Sequence, residues 1–365
     1  MLKFHALRVA AVTPDAEDAV AIELELPEAL RAEYRGTPGQ HVVVRTRIDG
    51  QETRRTYSLV NAPGERPLRI VPRVHPRGRM SRFLAEQLRA GDALEVLPPN
   101  GSFTPRTAAQ PAGTYVAFAA GCGITPVLSV VRSLLAHEPA RVILFYGNSG
   151  SARTMCLEDL LALKDRHLGR LSLHFVMSRE PQEAELYNGR IDAARVRRFA
   201  GVLFEPRGVT EYFLCGPGDM IEQVSTTLRE LGVEPARVHA EHFTVATATP
   251  ATAEAARPAA GDTTGASAPT TDQAEVSILM DGRRRSFAMK RDDETVLDAA
   301  ARAGIDLPFS CRAGVCSTCR TKVVRGEVEM AQNYALEDWE LEQGYVLACQ
   351  SRVKTPVLEL DYDEK

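Results

Sequence analysis

At 365 residues, against about 100 to 200 residues per domain, the chain should hold two or three domains, each able to bury its own core. Hydrophobic residues make up 44% and charged residues 25%, an ordinary globular balance. The formal net charge of −4 excludes a basic nucleic-acid binder or membrane-surface protein. From Glu275 onward there are 17 Asp+Glu against 13 Lys+Arg, while the residues before it balance at 31 and 31, so the acidic surplus lies entirely at the C-terminal end. That suits a docking face, and equally a solvated surface.

The first twenty residues, "MLKFHALRVAAVTPDAEDAV", carry Arg8 and Asp15 where a signal peptide needs an unbroken apolar core, and no run approaches about 18 apolar residues. The expectation is a cytoplasmic protein with no membrane partner. In reducing surroundings, clustered cysteines read as metal ligands or redox groups before disulfides.

Residues 1–110 read as short strands broken by turns. "AVAIELELP" places Val20, Ile22, Leu24 and Leu26 inward at period two, "TPGQHVVVR" enters a strand through Pro38-Gly39, and "DGQ" at 49–51 closes a hairpin. This spacing predicts an antiparallel β-barrel. Over 111–243 the texture alternates strand and helix. "YVAFAA" is a strand apolar on both faces, and "GCGITP" follows, with Thr125 as N-cap and Pro126 at the first helical position. Val127, Val130, Val131, Leu134 and Leu135 form one helical face. "RVILFYGN", "LSLHFVMSRE" and "EYFLCGPGDM" repeat the pattern, predicting a parallel-sheet α/β domain. Residues 244–273 are an Ala/Thr/Pro-rich stretch with the composition of a flexible linker, spanning on the order of 30 Å. Residues 274–365 begin with a hairpin turning at Asp281-Gly282 and a helix over "DDETVLDAAARAG", acidic at its start and ended by Gly304.

Next comes "CRAGVCSTCR", which spaces Cys311, Cys316 and Cys319 as Cys-x4-Cys-x2-Cys, with Cys349 further on in "VLACQS". A zinc ribbon pairs two short knuckles, whereas three cysteines in one loop followed by a distant fourth is the plant-type [2Fe-2S] pattern. The small residues Ala313, Gly314, Ser317 and Thr318 let the loop wrap closely, so that backbone N–H groups can reach the sulfurs. Zinc and a structural thiol loop are the remaining alternatives. On these residues the segment 275–362 resembles the ferredoxin β-grasp family.

Four weaker motifs precede it in order: "RRTYSL" at 54–59, "GRMS" at 78–81, "GCGITP" at 121–126 and "CGPGDM" at 215–220. Together they make the segment 4–243 resemble the ferredoxin-NADP reductase family. The resemblance implies that Arg55, Tyr57 and Ser58 hold FAD, with Tyr57 on the ring and Ser58 toward N5. It implies that Gly78, Met80 and Ser81 hold its phosphates at a helix start, and that Arg73 and Val74 line its ribityl chain, although an ordinary barrel strand would look the same. FMN is set aside on the family alone. Gly121, Gly123, Thr125, Pro126, Cys215, Gly216 and Pro217 would bind the dinucleotide, with Thr125 and Cys215 flanking the nicotinamide. Cys122 stands where many members carry Ser or Thr. "EHF" resembles the family's Glu-x-aromatic ending, giving Glu241 a catalytic place beside Ser58 and Cys215, and Phe243 a shielding one. Ser178 and Arg179, with Tyr187 beyond, point to NADPH, since a 2′-phosphate favours an arginine.

Other features read as structure: the eight histidines show no metal-binding pairing, Trp339 in "EDWELE" reads as half-buried packing, and Cys156 as core. The implied reaction is hydride transfer from NADPH to flavin N5, then release of single electrons through the [2Fe-2S] cluster to an acceptor protein. Arg312 and Arg320 flank the expected electron exit. The module order is that of the reductase components of multicomponent oxygenases. Within these, "FHALRVAAV", "GQHVVV", "YGN", "NGRID" and "NYALEDWELEQGYVLACQ" resemble the reductase subunits of phenylacetyl-CoA epoxidases. That makes the oxygenase component of a monooxygenase the implied partner. Reductases of steroid or aromatic-ring hydroxylases, using NADH, share the order and are the second reading.

Overall fold

A computed structural model describes residues 3–106, 112–243, 273–291, 293–336 and 338–364. The chain divides into two compact units, 2–244 and 245–365. The linker predicted at 244–273, except Gln273, and the predicted boundary at 110/111 lie outside the described residues.

The larger unit begins with β1 (His5–Ala16), β2 (Ala19–Leu24), β3 (His41–Ile48), β4 (Gln51–Ser58) and β5 (Leu68–Ile70), followed by helix α1 (Arg79–Glu86) and β6 (Ala93–Val96). These strands form one antiparallel sheet ordered β4-β3-β6-β1-β2-β5. A bridge between Leu59 and Ile70, with Val60 N–H donating to Arg69 C=O at 3.1 Å, joins the two edges and closes the predicted barrel. The β3–β4 hairpin turns at Asp49 and Gly50, whose φ values of 51° and 76° suit the twist of the flanking strands.

The period-two reading of β2 holds only in part. Ile22 and Leu24 enter the barrel core, but Val20 and Leu26 are half-buried and the strand ends at Leu24. On the opposite face Ala19 and Ala21 are buried too, within the core of the following α/β domain. A second layer covers this face, and its small alanines had disguised it as exposed.

That domain comprises β7 (Thr114–Ala120), α2 (Ile124–Leu135), β8 (Arg141–Asn148), α3 (Leu157–Arg166), β9 (Leu171–Met177), α4 (Ala193–Val202), β10 (Glu211–Gly216), α5 (Gly218–Glu230) and β11 (Val238–His242). Its sheet is parallel throughout, ordered β11-β10-β7-β8-β9. Strand β7 is buried on both faces: Tyr115, Ala117 and Ala119 pack with α2 and α3, Val116 and Phe118 with α4 and α5. The chain order reverses between β7 and β10, and in such sheets ligands bind outside the carboxyl ends of the strands at that switch. "GCGITP" and "CGPGDM" leave those two strand ends.

The N-cap of α2 is Gly123, not Thr125. A short 3₁₀ turn over Gly121–Gly123 starts the winding earlier, leaving Thr125 inside the first turn, where its hydroxyl donates to Cys122 C=O at 3.0 Å. All five predicted apolar positions of α2 are buried.

The smaller unit contains β12 (Gln273–Met280), β13 (Arg283–Lys290), α6 (Val296–Arg302), β14 (Arg320–Arg325), β15 (Val328–Met330), α7 (Asp338–Glu342), β16 (Tyr345–Leu347), β17 (Ser351–Val353) and β18 (Val357–Asp361). Five strands are ordered β13-β12-β18-β14-β16, β15 pairs with β17, and α6 packs its Val296, Leu297, Ala299 and Ala300 against the sheet, the β-grasp arrangement. The cap of α6 is Thr295, whose hydroxyl accepts from Asp298 N–H at 3.2 Å. Gly304, at φ 75°, ends the helix as predicted. Among the described residues no helix is long and apolar enough to cross a membrane.

Candidate functional site

At the mouth of the barrel, the end of β4 pairs Ser58 with His41 on β3. Ser58 is 4% exposed and its hydroxyl has no partner among the described residues. Glu241 on β11 is buried opposite, its Oε1 3.5 Å from His41 Nδ1 and its Oε2 unpartnered. Glu241 is in register with the fully buried Cys215, whose thiol is pushed well up by burial and then by the nearby Glu241 and Cys122. A hydroxyl and a carboxylate are thus held dry with unused hydrogen-bonding capacity. Orphaned buried polar atoms cost about 1 to 3 kcal/mol each, and the edge of a flavin offers the donor and acceptor they lack. His41, missed at the sequence level because a lone histidine in "HVVVR" matches no motif, belongs to this group.

Along β4, Tyr57 is half-buried and burial pushes its phenol up, opposed by the Arg55 guanidinium. Arg55 is exposed and donates to Arg54 C=O at 2.7 Å. Gly78 caps α1; a Cβ there would stand 2.5 Å from Ser81 Oγ, so a larger residue would displace the Ser81 hydroxyl. The Ser81 hydroxyl accepts from His75 N–H and donates to Gly78 C=O, and Met80 points into the barrel core. This turn therefore offers an anion the backbone N–H groups of a helix start rather than side chains.

A cavity of about 580 Å³ opens at the switch point between β7 and β10. Its walls include Gly121, Cys122, Ser178, Arg179, Gly216, Pro217, Phe243 and Arg73. Gly121 has φ 55°, and a Cβ on Gly123 would fall 2.0 Å from Cys215 C=O, so the loop lies flat on the end of β10. Among the described residues, Gly123, Thr125, Pro126 and Cys215 do not line the cavity and stand behind its wall. Arg73 donates to Arg153 C=O at 2.7 Å and lies 3.3 Å from Asp18, while Val74 is held outside the cavity by its N–H bond to Asp18 C=O. The Cys122 thiol is pushed up by burial although Arg73 opposes this.

Charge in the cavity favours an anion. Arg153 and Arg190, neither foreseen from the sequence, join Arg73 and Arg179, against Asp192 and Asp219. Among the described residues Arg179 and Arg190 have no acidic partner; Asp192 caps α4 through Arg195 N–H at 2.8 Å. Glu180 does not neutralise Arg179: it accepts from Ser151 N–H and Oγ, which hold its carboxyl below its usual range. Tyr187 is 2.9 Å from His174 Nδ1 and stacks on that ring.

In the smaller unit the four thiols meet. Cys316 and Cys349 lie close enough to Cys311 to perturb its thiol, and Cys311 and Cys319 close enough to perturb that of Cys349. The loop wraps through left-handed residues: Arg312 at φ 55°, Gly314 at 73° and Ser317 at 46°. A Cβ on Gly314 would stand 2.9 Å from Gln332 C=O. Ala313 N–H donates to Cys311 Sγ at 3.3 Å, and Gln350 Nε2 reaches Cys349 Sγ at 3.5 Å. The Cys311 contact favours the Cys349 thiolate, but the Cys319 contact and burial outweigh it and push the thiol up to about 12. Four thiols gathered at one end of the sheet are a donor set that bound iron would satisfy, because a metal deprotonates its sulfur ligands. Arg312 and Arg320 are engaged locally, with Asp298 at 2.6 Å and Glu340 at 3.1 Å. Trp339 is 47% exposed and Cys156 is buried.

Three family models match in order: an oxidoreductase FAD-binding domain over 7–104, an oxidoreductase NAD-binding domain over 118–226 and a 2Fe-2S iron-sulfur cluster binding domain over 278–354. One subunit of the 1,2-phenylacetyl-CoA epoxidase from Escherichia coli (strain K12) is 39% identical over 100% of this chain and 99% of that protein. The ferredoxin reductase component of 3-ketosteroid-9-alpha-monooxygenase from Rhodococcus rhodochrous is 32% identical over 98% and 96%. Among solved structures, phthalate dioxygenase reductase, described as a modular structure for electron transfer from pyridine nucleotides to [2Fe-2S], matches with a TM-score of 0.59 at 25% identity over 98% of each chain. The cofactors of these domains are FAD, a nicotinamide nucleotide and a [2Fe-2S] cluster, for which the orphaned pair, the cationic cavity and the thiol set are suited. The chain belongs to the family of FAD- and [2Fe-2S]-containing, NAD(P)H-dependent reductases that includes this 1,2-phenylacetyl-CoA epoxidase protein.

Proposed function

We propose that this protein is the NADPH-dependent reductase that supplies electrons to the oxygenase component of a phenylacetyl-CoA epoxidase in phenylacetate degradation. The observation that carries it is the joining, in one chain 39% identical end to end to a protein of such an epoxidase, of a cationic dinucleotide cavity, a buried Ser58–Glu241 pair and a four-thiol set. FAD, when bound, supplies acceptance of a hydride and release of single electrons, and the [2Fe-2S] cluster carries one electron at a time.

Ser58, Cys215 and Glu241 are assigned to the edge where hydride arrives, where they exclude water and Glu241 with His41 can hold a proton. Arg55 and Tyr57 are assigned to the flavin, the backbone from Gly78 to Ser81 to its phosphates, and Cys311, Cys316, Cys319 and Cys349 to iron. NADPH is preferred to NADH because Ser178, Arg179 and Arg190 share one wall of the cavity and neither arginine is spent on an acidic partner. The division into 1–110, 111–243, 244–273 and 274–365 is the proposed domain organisation. The cytoplasm is its proposed compartment, since reducing surroundings keep thiols available to iron.

NADPH-driven turnover with the purified oxygenase component of a phenylacetyl-CoA epoxidase, set beside that of a 3-ketosteroid hydroxylase, tests the partner. Productive turnover only with the steroid enzyme would favour the second reading, which the 32% identical relative supports. Arg179→Ala should lower kcat/KM for NADPH by about 10- to 100-fold, the worth of a charged hydrogen bond of about 1.5 to 3 kcal/mol, and leave NADH nearly unchanged. Equal losses with both nucleotides would sink the NADPH preference.

A further inference from the structure

Strand β18 ends at Asp361, and the next residue, Tyr362, packs its ring against the core that contains Cys319 and Cys349. The sheet register explains why. Strand β14 runs antiparallel to β18 with Lys322 opposite Asp361 and Val323 opposite Leu360, and Thr321 Oγ1 donates to Asp361 C=O at 3.0 Å. Tyr362 therefore lies beside the start of β14, which begins immediately after Cys319. On the other side of β14, Arg320 pairs with Leu347, and Ala348 N–H donates to Cys319 C=O at 3.1 Å, bringing Cys349 to the same end of the sheet. The Tyr362 amide is fixed by its bond to Leu279 C=O at 2.9 Å.

The Tyr362 hydroxyl oxygen is buried and has no hydrogen-bond partner among the described residues. A phenol carries its proton at neutral pH, so toward an anionic sulfur it acts as a donor. A buried, unpaired phenol O–H is unfavourable, whereas an iron-bound thiolate would be an anionic acceptor for it.

We propose that, with the [2Fe-2S] cluster in place, Tyr362 donates an O–H···S hydrogen bond to the Cys319/Cys349 sulfur pair, and that this bond raises the cluster's reduction potential. Hydrogen bonds to cluster sulfurs favour the more electron-rich reduced form. Tyr362 would thus be a tuning residue for the cluster that the four cysteines would hold. The inference rests on the reading of the four cysteines as the iron ligands.

The test uses the full chain and Tyr362→Phe, which keeps the ring and removes the hydroxyl. Iron and sulfide content should be unchanged and flavin reduction by NADPH unaffected, while an EPR-monitored redox titration should show the cluster harder to reduce. About a tenfold shift is expected, equivalent to about 59 mV for one electron. Resonance Raman of the unaltered protein supplies a second measurement independent of any variant: its Fe–S(Cys) bands should move in D₂O, and in the variant that part of the shift should vanish. An unchanged potential with unchanged isotope shifts would overturn the hydrogen bond and leave Tyr362 as packing. A chain with no [2Fe-2S] signal at all would overturn the ligand set, and the proposal with it.

Discussion

In the larger unit, Ser58, Cys215 and Glu241 are supplied by β4, β10 and β11, and Gly121 reaches the cavity from the end of β7, whereas in the smaller unit three of the four sulfurs leave a single loop. The first site is built largely from atoms that are missing. Gly123 lies on the end of β10 because it has no Cβ, Gly78 leaves room for the Ser81 hydroxyl for the same reason, and Ser58 Oγ and Glu241 Oε2 have no hydrogen-bond partner among the described residues. The second is built from atoms that are present, four thiols that neighbour one another from Cys316 through Cys311 and Cys349 to Cys319. A site shaped by backbone is vulnerable to an added atom, and a ligand site to a removed one.

Removing an atom should have the largest effect. Cys316→Ser should abolish cluster assembly and lower electron delivery to a one-electron acceptor that docks at the cluster by more than about 1000-fold, while NADPH still bleaches the flavin band at its normal rate. Iron analysis and stopped-flow absorbance separate the two steps. An unimpaired rate to the acceptor would take the cluster off the path.

Adding an atom should come next. Gly123→Ala places a Cβ 2.0 Å from Cys215 C=O, and since that carbonyl is backbone and the Cβ is fixed to the loop, the loop must move. A displacement of about 1 Å at a reacting centre costs roughly 100-fold, so flavin reduction should slow by about that factor with the cluster's EPR signal unchanged. A wild-type rate would show that the close approach is unnecessary.

The smallest effect concerns pH. His174 and His242 both have pKa values lowered by burial, His174 further by Lys164. The unfolded chain therefore binds their protons first, and stability falls as pH drops below the unfolded value of about 6.5. The thermal midpoint of the larger unit, followed by release of flavin fluorescence, should decline between about pH 6.5 and 5, and His174→Phe should flatten that slope. An equal slope in the variant would remove His174 as a cause.

The two sites also differed in how far they could be read without a structure. The cysteine spacing alone pointed to the smaller one, because thiols that share a loop are constrained by local geometry that spacing records. The larger site was legible only as four modest motifs in order, and its working parts were legible unevenly. Gly121 and Gly216 reached the cavity wall, while Thr125, assigned as a cap, proved to be bonded back onto Cys122 because a 3₁₀ turn began the helix early. His41, Arg153 and Arg190 were not found at all. Histidine in an apolar strand and arginine in a loop are too common to signal anything by residue type.

What the sequence determined alone was therefore local: the period-two hairpins at Asp49-Gly50 and Asp281-Gly282, the doubly apolar β7, and the loop from Cys311 to Cys319. Those patterns follow from backbone periodicity and from the reach of neighbouring side chains. Tertiary structure alone decided that Ala19 and Ala21 would be covered by the second domain, that His41 would meet Glu241, and that Tyr362 would end beside Cys319. Each is a meeting across strands whose partners are set by register and sheet order. Register depends on the packing of the whole sheet, so no stretch of sequence carries it by itself.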